Sequence, residues 1–165
     1  WLKENNLSGR RPAAQRLGRR DHLLLVGSSM PAVVPDNVSV INEFCTAATV
    51  ARLMASADAL LHAGDQETFG LVILEAMACG IPVVAVAAGA FEEIVADSCG
   101  LLCAPNNPQA MANAVRELFS RGVCKLGAQA RQHVEHHYAW DTVVDSLLSH
   151  YHAVLGHAIP RVANG

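Results

Sequence analysis

Charged side chains are scarce, making up 16% of the 165 residues, and the 12 Lys and Arg are outnumbered by 15 Asp and Glu. With a formal net charge of -3, the chain lacks the broad basic field that holds a nucleic-acid backbone by counterion release. We therefore expect no nucleic-acid partner. Hydrophobic residues make up 52% of the sequence, which at this length predicts one globular domain with a real core.

Several sequence signals are also missing. No G-x-G-x-x-G occurs, which argues against an NAD-dependent dehydrogenase domain. No C-x-x-C pair occurs among the five cysteines, and no cleavable signal opens the chain, so we expect reduced thiols and a cytoplasmic location. The first residue is Trp1 rather than Met, which suggests a fragment. The longest apolar stretch contains Glu75, Gly80 and Pro82, so it predicts a helix and a strand rather than a membrane span.

Strand-like and helix-like patterns alternate from His22 onward. Strands are predicted at 23–26, 38–41, 59–61, 82–86 and 100–103, and helices after Thr46, at 71–79, around 91–95, and from Pro108 to about Leu155. Repeated β-α-β units predict a Rossmann-like α/β fold, a parallel sheet flanked by helices, with a ligand at the carboxyl ends of the strands. The predicted domain spans 22–155. Residues 1–21 form a polar lead-in, disordered or the remnant of a truncated unit, and 156–165 form a tail.

The segment from Gly64 to Val84 is the most informative. Its helix is apolar on every side except at Glu75, so we expect Glu75 to be buried and to need hydrogen-bond donors from the fold or from a ligand. Gly64 and Gly70 bracket the turn that leads into this helix. The N–H groups at the helix start would face the strand edge and form an anion site.

Glu67 and Glu75 are spaced as E-x7-E within E-T-F-G-L-V-I-L-E-A-M-A-C-G-I-P-V-V. This segment resembles the signature of retaining GT-B glycosyltransferases, and the resemblance covers roughly residues 22–155. It implies that the chain is the C-terminal, donor-binding half of a GT-B fold. The implied reaction transfers a hexose from a UDP- or GDP-sugar to an acceptor with retention of configuration, and it needs no cofactor or metal.

The resemblance also assigns roles to residues. Glu67 would bind donor-sugar hydroxyls at the reacting centre, the backbone amides of Phe69, Gly70 and Leu71 would face the sugar and diphosphate, and Glu75 would hold the ribose. Gly27 would line the nucleotide, with the base near residues 42–44. The acceptor would bind an N-terminal domain that is not in this sequence. Through that domain the protein would associate peripherally with the inner face of the membrane, and the isolated chain would be inactive.

Other candidates have competing interpretations. His62 follows a strand beside the Gly64 turn and is a candidate ligand residue, although a structural histidine explains it as well. His133, His136 and His137 have a helical spacing that suits a metal, but an exposed helical face explains them better. The rival function from another class is a non-catalytic sugar-nucleotide-binding module.

Overall fold

Strands and helices alternate along the chain as predicted. The computed structural model describes residues 21–27, 34–66 and 68–156. In these ranges the elements are β1 (Leu23–Val26), β2 (Val38–Ile41), α1 (Ala47–Ala55), β3 (Leu60–His62), α2 (Leu71–Ala78), β4 (Val83–Val86), α3 (Phe91–Ile94), β5 (Gly100–Cys103), α4 (Pro108–Arg121), α5 (Val123–His137) and α6 (Trp140–Leu155). Residues 1–20 of the predicted lead-in 1–21 and residues 157–165 of the predicted tail lie outside them.

All strand pairs are parallel, which confirms the predicted α/β class. β1 pairs with β2, and β4 pairs with β3 on one side and β5 on the other. Every residue of β4 is buried, as expected for a central strand covered on both faces. The described strands form a two-stranded group, β1 and β2, and a three-stranded group, β3, β4 and β5, rather than one continuous sheet.

Side-chain caps and a proline set several element boundaries. Thr46 caps α1 by accepting a hydrogen bond from the Thr49 N–H at 3.3 Å, and Asn107 caps α4 through the Ala110 N–H at 2.9 Å. β4 begins one residue later than predicted, because Pro82 has no N–H for the ladder; its carbonyl still accepts from the Leu60 N–H at 3.0 Å.

The core is built around α2 and the strands beside it. α2 buries Val72, Ile73, Ala76 and Met77 on one face. α5 packs closely at the carboxyl end of this helix, since a Cβ added to Gly127 would lie 2.1 Å from the Gly80 carbonyl oxygen.

The C-terminal helix α6 buries no residue completely. Among the described residues, no helix combines the length and the apolar character needed to cross a membrane.

Candidate functional site

The carboxyl ends of the parallel strands place their following loops at a common edge within each group. Between the ends of β3, β4 and β5 lies a small cleft of about 20 Å³, lined by Ala63, Val86, Ala104, Asn106, Asn107, Pro108 and Met111. The Asn106 side-chain amide donates to the Asp65 carboxylate at 3.4 Å, which links the loop after β3 to the loop after β5. Polar loops therefore surround this edge, where open α/β sheets bind ligands.

His62 ends β3 and is packed into the base of this edge, with only 2% of the residue exposed. The Gly64 N–H donates to its Nδ1 at 3.3 Å, so a neutral ring carries its proton on Nε2. The ring also meets Phe91 edge-on, with centroids 4.8 Å apart. This environment fixes the imidazole and shapes the loop that leads to α2. Its predicted ligand role stays a prediction.

Gly70 sets the start of α2 and admits no larger residue without strain. Its φ of 64° lies in the left-handed region that glycine favours. A Cβ there would come within 2.8 Å of Ile94 Cδ1 and 3.2 Å of Phe91 Cε1. The backbone at the helix start is thus held close against α3.

The start of α2 is a helix N-terminus without a side-chain cap. The Gly70 carbonyl accepts from the Ile73 N–H at 2.9 Å, and no side chain caps the helix. The earliest N–H groups of a helix have no intrahelical partner and carry the positive end of its dipole. The side chains of Phe69 and Leu71 are 72% and 63% exposed, although both are apolar. Of the three residues whose amides were predicted as donors, Phe69 and Leu71 are therefore exposed, whereas Gly70 is buried against α3.

Glu75 lies on the exposed side of α2, so the prediction that it is buried was wrong. The four buried residues of α2 occupy one face, and Leu71, Glu75 and Ala78 occupy the open one. The sequence did not indicate which face is exposed, because the exposed face carries apolar residues too. Burial first, and then the Glu75 charge, raise the pKa of the Cys79 thiol one turn later. Glu75 therefore needs no donor from the fold and is accessible to a ligand.

The remaining predicted residues follow β1 and β2, except Glu67. Gly27 follows β1, is half-buried, and donates its N–H to the Ile41 carbonyl at 3.1 Å. In the turn after β2, Phe44 is 98% exposed, at the position predicted for the base. Glu67 lies outside the described residues; its neighbours Gln66 and Thr68 are exposed.

Two structural contributors were not singled out from the sequence. Asn106 takes a left-handed φ of 54°, which Asn tolerates better than most residues, so an Asn in a turn was the available signal. Phe91 packs against His62 and beside Gly70, and no sequence pattern indicates either contact.

The histidines of α5 lie apart from this edge in sequence and differ in exposure. His136 and His137 are exposed, whereas His133 is half-buried and its ring lies 5.8 Å from that of Tyr138. Across the described residues, no group of three or more His, Cys, Asp or Glu is arranged to hold a metal ion.

The family model for glycosyl transferases group 1 matches residues 11–121, which is about two thirds of the chain. The chain belongs to the glycosyl transferases group 1 family. Its fold agrees with that of solved structures: a sucrose-phosphate synthase from Thermosynechococcus elongatus superposes with a TM-score of 0.76 at 26% identity, over 94% of this chain and 45% of that one. The Anabaena protein HepE, solved with UDP-glucose, superposes with a TM-score of 0.75 at 21% identity, over 92% and 47%; it supports the fold alone.

Curated relatives of this group 1 chain include two mycobacterial enzymes. A GDP-mannose-dependent alpha-(1-6)-phosphatidylinositol dimannoside mannosyltransferase from Mycobacterium tuberculosis is 42% identical over 100 residues, covering 61% of this chain and 26% of that protein. A GDP-mannose-dependent alpha-mannosyltransferase from Mycolicibacterium smegmatis is 34% identical over 161 residues, covering 89% and 40%. The chain thus spans less than half the length of these relatives.

Proposed function

We propose that this chain is the donor-binding part of a retaining glycosyltransferase, and that it transfers a hexose from a nucleoside-diphosphate sugar together with an acceptor domain outside this sequence. The observation that carries the proposal is the start of α2. There a glycine held in the left-handed region against α3 begins an uncapped helix, and Phe69, Leu71 and Glu75 beside it are exposed. This arrangement offers backbone donors to a diphosphate and a carboxylate to hydroxyl groups.

The charge that develops during such a reaction matches this geometry. When the bond from the anomeric carbon to the diphosphate breaks, negative charge accumulates on the departing phosphate. The N–H groups at the start of α2 stabilise that charge without proton transfer and without reorganising, because the helix fixes their direction. In this scheme Glu67 accepts hydrogen bonds from the sugar, Glu75 accepts them from the ribose, and Gly27 leaves room for the nucleotide beside β1.

The names of the two mycobacterial relatives make GDP-mannose the first donor to test, with UDP-glucose as the comparison. The acceptor, the retention of configuration and a membrane-associated acceptor domain remain predictions from the resemblance.

Isothermal titration of GDP-mannose and UDP-glucose into the protein tests donor binding. Replacing Glu75 by Gln removes a charged acceptor while keeping the shape, so we expect affinity to fall about 10- to 150-fold, the equivalent of a charge-assisted hydrogen bond of about 1.5–3 kcal/mol. Glu117→Gln, at an exposed position on α4, is the matched control and should leave affinity unchanged. Equal affinities for both variants would remove Glu75 from the site.

The non-catalytic alternative is separated by a second measurement. A binding module would bind the nucleotide sugar yet show no transfer in the full-length protein, whereas the proposed enzyme should release the nucleoside diphosphate when an acceptor is supplied. A donor panel assayed with the full-length protein distinguishes the two.

A further inference from the structure

Two glycines mark the ends of the loop that connects β3 to α2, and both are buried against the same pair of rings. The ring pair consists of His62 and Phe91, whose rings meet edge-on with centroids 4.8 Å apart. A Cβ added to Gly64 would lie 2.9 Å from His62 Cε1, and a Cβ added to Gly70 would lie 3.2 Å from Phe91 Cε1. The two ends of the loop are therefore held at one place in the core.

The middle of this loop faces solvent. Gln66, Thr68 and Phe69 are exposed, and exposed loop residues make few contacts that resist local opening. The hydrogen bond from Asn106 to Asp65 is long, at 3.4 Å, so it restrains the loop weakly. The shape of the loop therefore depends on the packing at its ends, and the direction of the first amides of α2 depends on it too.

Phe91 supplies the packing that both ends share. It is completely buried, at 0% exposure, so it does not contact a bound donor directly. Ile94 lies three residues later on the same side of α3, and its Cδ1 would lie 2.8 Å from a Cβ on Gly70. Glu92 and Glu93, between them in sequence, are exposed. The short helix α3 thus directs two apolar side chains into the core, and both pack against the start of α2.

We propose that Phe91 is a positioning residue for the donor site: through the ring pair it holds the two ends of the loop together and so fixes the amides that begin α2. The effect on the loop stands on the packing, whereas the effect on ligand binding rests on the proposed function. A site whose donors already point at the ligand binds more tightly than a site that is ordered only when the ligand arrives. Replacing Phe91 should therefore weaken donor binding without removing any group that contacts the donor.

Backbone order parameters from NMR relaxation of the ligand-free protein measure the effect on the loop. We expect values of about 0.85 for the Gly64 and Gly70 amides in the unaltered protein, as in rigid backbone, and values approaching about 0.6 for both in Phe91→Leu. Leu keeps an apolar side chain but lacks the ring that joins the two ends. Unchanged order parameters at both glycines would overturn the proposal.

A second variant keeps this test decisive if Phe91→Leu does not fold. Ile94→Val removes the Cδ1 methyl group beside Gly70 and leaves the ring pair intact. It should lower the order parameter of the Gly70 amide and leave that of the Gly64 amide unchanged. An unchanged value at Gly70 would contradict the role of α3 in holding the start of α2.

Titration with GDP-mannose, and with UDP-glucose in parallel, measures the effect on binding. If Phe91→Leu leaves the binding geometry populated about a tenth of the time, the apparent Kd rises about tenfold. The matched control is Leu118→Val, a truncation at a completely buried position of α4. Urea unfolding should show lower stability in both variants, but Leu118→Val should change neither the Kd nor the order parameters of the loop. Equal weakening of binding in both variants would make Phe91 an ordinary core residue and overturn the positioning role.

The two measurements separate a failure of this inference from a failure of the proposed function. Lower order at Gly64 and Gly70 with an unchanged Kd would overturn the positioning role and leave the proposed function in place. If the unaltered protein binds neither donor, the proposed function fails, and the order parameters alone then decide whether Phe91 holds the loop.

Discussion

Gly70 and Gly80 flank the same helix. Replacing each with Ala separates the free-energy cost of a left-handed backbone from the free-energy cost of crowding the added Cβ. Both have positive φ, 64° and 79°, and Ala in the left-handed region costs about 1–2 kcal/mol. At Gly80 a Cβ meets nothing within 4 Å, whereas at Gly70 it meets Ile94 Cδ1 at 2.8 Å and Phe91 Cε1 at 3.2 Å. Forcing a methyl group into packed surroundings adds about 1–3 kcal/mol.

We therefore expect Gly70→Ala to lower the free energy of unfolding by about 2–5 kcal/mol and Gly80→Ala by about 1–2 kcal/mol. Urea unfolding followed by circular dichroism measures both on the same scale, and the slopes should agree between variants. The difference between the two variants is the cost of crowding α2 against α3. If Gly70→Ala is no more destabilising than Gly80→Ala, the close packing at the start of α2 is wrong, and with it the argument that the site is rigidly held.

Three further predictions address other parts of the described chain. His62→Phe keeps an aromatic ring but leaves the Gly64 N–H without its acceptor, so urea unfolding should show a loss of about 1–3 kcal/mol. Burial raises the pKa of the Cys103 thiol to about 11, so native-state alkylation followed by mass spectrometry should modify the exposed Cys124 first and accelerate at Cys103 as the pH approaches that value. Burial lowers the pKa of His133, so its contribution to stability is present above pH ~6.5 and is lost as the pH falls below it. The midpoint of thermal unfolding should fall less steeply below that pH in His133→Gln than in the unaltered chain.

Local sequence patterns predicted much of the fold. β1, β2 and β5 begin and end at the predicted residues, because apolar runs bounded by turn residues are strong strand signals. The start of α2 was also predictable, since Gly70 marks it in the sequence and the structure gives Gly70 the left-handed φ that explains the choice of residue.

Contacts between elements that are distant in sequence could not be predicted from local patterns. Glu75 was predicted to be buried because its neighbours in sequence are apolar, but which helix face meets the core depends on α5 and the strands, not on the helix alone. The division of the strands into two groups was not predicted either. The apolar pattern of a strand predicts that the strand is buried, but it does not predict which strand lies beside it. Likewise, the Asn106 contact with Asp65 joins loops 41 residues apart.

The central claim is that a nucleoside-diphosphate sugar binds at the start of α2. Backbone amide chemical shifts recorded by NMR during titration with GDP-mannose, and with UDP-glucose in parallel, test it most directly. We predict that the Gly70 and Leu71 amides shift with the added ligand while the Cys79 and Gly80 amides, at the opposite end of the same helix, stay in place. Shifts confined to residues remote from the start of α2, or no shifts with either donor, would contradict the account.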